Sequence, residues 1–266
     1  MTEARMQEVP EHKPGTFCWI ELGTSAGPAA KDFYTKLFGW DFEDHDMGPA
    51  GVYTIYKRNG KDVAASYELM ADQRAQGVPP HWLSYISVAS ADDAAAKAKA
   101  SGATLLKEPF DVGTLGRMAV VQDPTGGVFA IWEAKDNKGL GITHVSNTLC
   151  WDELLTNDTQ KAGDFYTNLF GWTTEQFGGD YTIFKNGDTG IAGMFKIMPE
   201  MGPVPPNWTI YFAVDDCDAM VQKTTELGGS VLKPAEDIPT IGRFAVLMDP
   251  QSAVFAIIKP EPRPEQ

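Results

Sequence analysis

Apolar positions along the chain follow two periodicities in turn. Phe17 to Leu22 is a short, mostly apolar run and predicts a strand. After Gly27-Pro28, apolar residues return at Ala29, Ala30, Phe33, Tyr34, Leu37 and Phe38, the spacing of one helix face, with proline suited to the first turn and Gly39 to the C-terminal cap. Val52 to Tyr56 is again strand-like. The order then repeats. Trp82 to Val88 predicts a strand, Ser90 caps a helix with Asp92 and Asp93 in its first turn and Gly102 at its end, and Met118 to Val121 and Val128 to Trp132 predict further strands. Asp123-Pro124-Thr125-Gly126 carries the residues of a type I turn, so the last two strands are expected to form a hairpin.

The whole pattern occurs twice. Asp32 to Trp40 (DFYTKLFGW) returns as Asp164 to Trp172 (DFYTNLFGW), identical at eight of nine positions. Cys18 to Leu22 returns as Cys150 to Leu154, Pro79 to Trp82 as Pro205 to Trp208, and Thr114 to Pro124 as Thr240 to Pro250; Asp215 and Gly228 take the stations of Ser90 and Gly102. The offset falls from 132 at Trp19 and Trp151 to 126 at Trp82 and Trp208, so the second copy has lost six residues, mostly in turns. The expected fold class is α+β, with four βαβββ units in tandem making two modules at 16–134 and 147–259, joined by a linker at 135–146. Residues 1–15 and 260–266 are polar and proline-containing, and mobile tails are expected there.

Composition narrows the partners. A net charge of −14 with no local Lys/Arg cluster repels phosphate backbones, which argues against nucleic acid. No run approaches the roughly 20 apolar residues that span a bilayer, and no basic-then-apolar leader opens the chain, so a soluble cytoplasmic protein is expected, with no membrane partner. Of three cysteines, Cys18 and Cys150 sit at equivalent places in apolar strands and read as small buried thiols.

The repeated βαβββ unit, with FYTKLFGW closing the first helix and DPTGGVFAIWE forming the last hairpin, resembles the vicinal oxygen chelate superfamily of glyoxalases, bleomycin-resistance proteins and dioxygenases. The likeness runs from Thr16 to Lys259 and is greatest to two-module bacterial glyoxalase-like proteins. It implies paired sheets curled around a cleft for a small organic molecule. It also implies, in the enzymes, a divalent metal held by His, Gln or Glu, with a lyase, isomerase or dioxygenase reaction. The family's ligand positions map onto Phe17, Leu83, Ala130 and the neighbourhood of Ala64 and Ala65, and in the second copy onto Leu149, Thr209, Ala256 and Ala192. None is an obvious ligand, so no metal or other cofactor is expected.

Strand alternation puts Glu21 on the face of Phe17 and His81 on the face of Leu83, which offers a shifted ligand pair as an alternative metal site. Glu133 is read as a surface charge. Trp19 and Glu21 recur as Trp151 and Glu153, and Arg117 recurs as Arg243. A carboxylate facing a cavity needs a partner, so each Glu anchors a loop, pairs with a repeated Arg, or serves as an acid/base or cation-binding group. The candidate catalytic residues are Glu21 and Glu153; the candidate ligand-binding residues are Trp19, Tyr85, His81, Trp132, Trp151 and Tyr211. Binding without metal, metal-dependent catalysis and an interaction protein with closed clefts all remain open, as do a monomer and a homodimer.

Overall fold

A computed structural model describes residues 11–261. Residues 1–10 and 262–266, which make up most of the two expected tails, lie outside the described residues. Among the described residues no helix is long and apolar enough to cross a membrane.

The first half runs β1 (Phe17–Thr24), α1 (Gly27–Phe38), β2 (Asp41–Asp46), β3 (Val52–Arg58), β4 (Lys61–Glu68), α2 (Ala71–Ala75), β5 (His81–Ser87), α3 (Ala91–Ala100), β6 (Thr104–Val112), β7 (Gly116–Gln122) and β8 (Val128–Ala134). The second half runs β9 (Leu149–Thr156), α4 (Thr159–Phe170), β10 (Thr173–Gln176), β11 (Thr182–Asn186), β12 (Thr189–Lys196), β13 (Asn207–Ala213), α5 (Cys217–Glu226), β14 (Ser230–Ile238), β15 (Gly242–Met248) and β16 (Val254–Pro260). Each half is one eight-stranded sheet, ordered β2-β3-β4-β1-β5-β8-β7-β6 and β10-β11-β12-β9-β13-β16-β15-β14. Two βαβββ units therefore join edge to edge through antiparallel β1–β5, and again through β9–β13.

The repeated helix motif fastens one half to the other. The buried face of α1 carries Phe33, Tyr34, Leu37 and Phe38, and it packs on the second sheet, with the Phe38 ring tilted 4.7 Å from Phe212 and Phe33 6.4 Å from Phe255. Reciprocally, Phe165 and Tyr166 of α4 pack on Phe129 of the first sheet. The tyrosine of each motif ends in a buried relay. Trp82 donates to Tyr34, which donates to Asp249 of the other half (3.0 Å); Trp208 donates to Tyr166, which donates to Asp123 (2.7 Å). Asp123 is the first residue of the predicted DPTG turn, and its other oxygen accepts the backbone N–H groups of Thr125, Gly126 and Gly127. One carboxylate thus closes a hairpin and anchors the opposite helix, leaving no buried donor at that place without a partner.

The approximate twofold between the halves is broken at its centre. Ile20 and Ile210 are both fully buried, but their counterparts are Asp152 and Ser84, and the Ser84 hydroxyl donates across the interface to Asp152. Burial pushes the Asp152 carboxyl up to about 7, against the hydrogen bond from Ser84.

Several local expectations need correcting. The cap of α5 is Asp216, whose carboxylate accepts from Ala219 N–H, and not Asp215; Ser90 does cap α3. Glu133 accepts the Ala91 N–H at 2.9 Å and so serves the N-terminus of α3, where a carboxylate is favoured, instead of standing free in solvent. The chain ahead of β1 is tied in, with Gly15 N–H donating to Ser87 and Trp172 Nε1–H donating to the Gly15 carbonyl, each at 2.8 Å. Cys18 and Cys150 are free thiols donating to the carbonyls of Tyr85 and Tyr211, and burial pushes both up.

Candidate functional site

The faces of the two sheets turned away from their mutual interface carry the same constellation. On β1, Trp19 and Glu21 point to this face; opposite them on β5 stand Tyr85 and Leu83. The two oxygens of Glu21 are held separately, Oε2 by the Tyr53 hydroxyl (2.7 Å) and Oε1 by the Tyr85 hydroxyl (3.0 Å), while Trp19 Nε1–H donates back to the Tyr53 oxygen (3.2 Å). In the second module Glu153 accepts from Tyr181 (2.8 Å) and Tyr211 (2.7 Å), and Trp151 donates to Tyr181 (3.0 Å). Burial raises the pKa of both carboxyls and the phenol hydrogen bonds oppose the rise. Burial beside a carboxylate also pushes all four phenols far above their usual range, so they stay protonated and remain donors. A carboxylate that would be costly to bury alone is held by two neutral donors on an aromatic frame.

The candidate residues divide by exposure. Trp19, Tyr85 and Trp132 are only 4–5% exposed and belong to the core, with Trp132 donating to the Asn137 carbonyl. Glu21, His81 and Trp151 keep a partial surface, as do Tyr53, Tyr67 and Tyr181, whereas Glu153 and Tyr211 are buried. Tyr53 and Tyr181 escaped the reading of the sequence, although Tyr53-Thr54-Ile55 recurs as Tyr181-Thr182-Ile183 and is as much a repeat as Trp19 and Glu21. The repeated arginines do not pair with the repeated glutamates. Arg117 grips Asp92 through two nitrogens (2.8 and 2.9 Å) and Arg243 grips Asp218 in the same way, clamping α3 and α5 to their sheets.

Glycine 193 shapes the second site. It stands beside Glu153 on β12, and a side-chain carbon there would collide with the Tyr181 hydroxyl. Gly193→Ala should therefore push Tyr181 off Glu153 and leave the buried carboxylate one donor short, a loss of about 1–3 kcal/mol readable as a lower urea midpoint.

Phe17 is not on the face of Glu21. The β1–β5 register shifts between Phe17 and Trp19, and this irregularity turns Phe17 to the interface, 5.2 Å from Trp208 and 6.0 Å from Trp172. His81 does share the face of Leu83 and Tyr85, but its Nδ1 is bonded to the Pro79 carbonyl at 2.8 Å. Among the described residues no three His, Cys, Asp or Glu side chains converge to share an ion. The positions implied for a divalent metal hold Phe17, Leu83, Ala130 and Ala64 with Ala65, and the one carboxylate beside them, Glu21, lies between Ala65 and Leu83 with both oxygens accepting from phenols. That donor set does not fit a hard ion, which needs several oxygen or imidazole ligands.

Comparison with known proteins agrees with the duplicated fold. A family model described as the Glyoxalase/Bleomycin resistance protein/Dioxygenase superfamily matches residues 16–131 and again 141–257. The chain is 39% identical over 263 residues to "Putative glyoxylase CFP32" of Mycobacterium tuberculosis, covering 97% of this chain and 100% of that protein. It is 36% identical over 259 residues to "Anthracycline biosynthesis protein DnrV" of Streptomyces peucetius, covering 92% and 94%. Among solved structures, the Mn(II)-bound glyoxalase from Novosphingobium aromaticivorans aligns with a TM-score of 0.65 at 15% identity, covering 93% of this chain and 82% of that one. The 2,3-dioxygenase LapB from Pseudomonas sp. KL28 aligns at 0.66 and 12%, covering 96% of each. At such identities the structural likeness shows the fold alone.

Proposed function

Since the chain belongs to the Glyoxalase/Bleomycin resistance protein/Dioxygenase superfamily, we propose that each module binds a small organic molecule against its glutamate and aromatic frame, without the divalent ion of the family's metal enzymes. One observation carries this reading: Trp, Glu and two Tyr recur with the same hydrogen bonds in both halves, while the family's ligand positions hold no His, Gln, Glu or Asp. Duplicated packing needs no duplicated carboxylate, because a core closes more cheaply with apolar residues. The relatives' names support a small-molecule role, one being called a glyoxylase and another an anthracycline biosynthesis protein. Glu21 and Glu153 supply a hydrogen-bond acceptor or a proton-transfer group, and Tyr53, Tyr181 and Trp151 supply ring edges at the open side.

Isothermal titration with catechol, the methylglyoxal–glutathione adduct and the cationic dye rhodamine 6G tests the site. The expected outcome is saturable binding of at least one probe with no metal added, weakened about tenfold by Glu21→Gln or Glu153→Gln, the effect of one buried charge-assisted hydrogen bond. Binding that survives unchanged in the double variant, or that requires an added divalent ion, would reject the proposal.

A further inference from the structure

One of the differences between the two sites is chemical. Next to Glu21 on β1 is Gly23, flanked by Tyr67 of β4 and His81 of β5. A methyl group built on Gly23 would lie 3.2 Å from the Tyr67 hydroxyl oxygen, 3.3 Å from His81 Cε1 and 2.9 Å from Leu69, so these three side chains converge over the glycine. The corresponding residues beside Glu153 are Leu155, Phe195 and Asn207. Where the first module has a glycine roofed by Leu69, a phenol and an imidazole, the second has a leucine, a phenyl ring and an amide.

The second module also shows what the fold itself requires. Asn207 donates from Nδ2 to the Pro205 carbonyl at 2.8 Å, just as His81 bonds the Pro79 carbonyl through Nδ1 at the same distance. The strand start therefore needs only the anchor, and asparagine provides it. What His81 adds is its second ring nitrogen. A carbonyl can only accept, so Nδ1 carries the proton and Nε2 presents a lone pair. Phe195 likewise shows that the fold needs the ring and not the hydroxyl of Tyr67. That hydroxyl oxygen accepts from Gln73 Nε2 at 2.9 Å, which fixes its position and leaves its own proton to be donated.

We infer that the first module carries a second polar subsite beside Gly23, at the partly exposed edge where Tyr67 and His81 converge, in which Tyr67 donates to and His81 Nε2 accepts from an uncharged ligand group bearing a carbonyl beside a hydroxyl or N–H. The inference rests on the proposed small-molecule role of the Glu21 site and distinguishes the two modules: the first takes ligands with such a paired polar group, and the second does not.

The test uses the full chain and 2-hydroxyacetophenone, an aromatic ketone with a hydroxyl on the neighbouring carbon. With ring-labelled histidine, four side chains report by NMR. Saturable movement of the His81 signals is expected, with affinity lowered about tenfold in His81→Asn and in Tyr67→Phe, the loss of one buried hydrogen bond each. Both substitutions copy residues that the second module already uses, so folding is preserved. Acetophenone, which lacks the donor, should bind wild type and His81→Asn equally. Unmoved His81 signals at saturation, or affinity untouched by both variants, overturns the subsite. If Glu21→Gln still weakens binding in that case, the Glu21 site stands without it; if Glu21→Gln is also silent, both readings fall.

Discussion

From about pH 4 to pH 8 the wild-type chain should lose about 3–4 kcal/mol of stability relative to Asp152→Asn, the equivalent of a carboxyl moved from its unfolded value near 3.9 to a folded value near 7. The sign follows from which state holds the proton. In this window the folded chain keeps Asp152 protonated and the unfolded chain has released the proton, so raising the pH draws the equilibrium toward unfolding until the folded carboxyl also ionises above 7. The group is 2% exposed, and its neighbours are the Ser84 hydroxyl and the raised Cys18 thiol across the interface and the raised Cys150 thiol on its own strand, none of which supplies a compensating positive charge. Asparagine still accepts from Ser84 and has no proton to lose, so its urea midpoints, measured across the range, should show the shallower pH slope. Parallel slopes for the two proteins would mean that water or movement at the interface solvates the charge.

Asp123→Ala should cost about 3–5 kcal/mol, because it strands several buried donors at once and each unsatisfied one costs about 1–3 kcal/mol. The DPTG hairpin loses the acceptor of its three N–H groups and Tyr166 loses the partner that ties α4 to the first sheet. Tyr166→Phe removes only the inter-module part and should cost less. Chemical denaturation of the two variants separates hairpin from anchor; equal losses would assign all of the effect to the tyrosine.

The sequence was a good guide wherever the two halves repeat each other. Motif identity exposed the duplication, helical spacing found α1 with Phe33, Tyr34, Leu37 and Phe38 inward, and the DPTG signature found the β7–β8 turn. It was a poorer guide where one residue shifts a register. The irregularity between Phe17 and Trp19 reverses a side chain that strict alternation places beside Glu21, and no local signal marks it. The partners of Glu21 were hidden for a different reason. Tyr53 comes from a strand that the turns after α1 separate from β1, so the hydrogen bond links residues 32 apart and only the third dimension joins them. Arg117 illustrates the converse: its repetition was visible, but its partner is Asp92 on α3, a helix-clamping role that repetition alone cannot tell from a site.

Elemental analysis after dialysis against excess Ni(II), Mn(II) and Zn(II) bears most directly on whether phenols have taken over the place of an ion around Glu21 and Glu153. The expected result is no stoichiometric metal in the wild-type chain and the same content in the Glu21→Ala/Glu153→Ala variant. One tightly held ion per module, lost when those glutamates are removed, would contradict it.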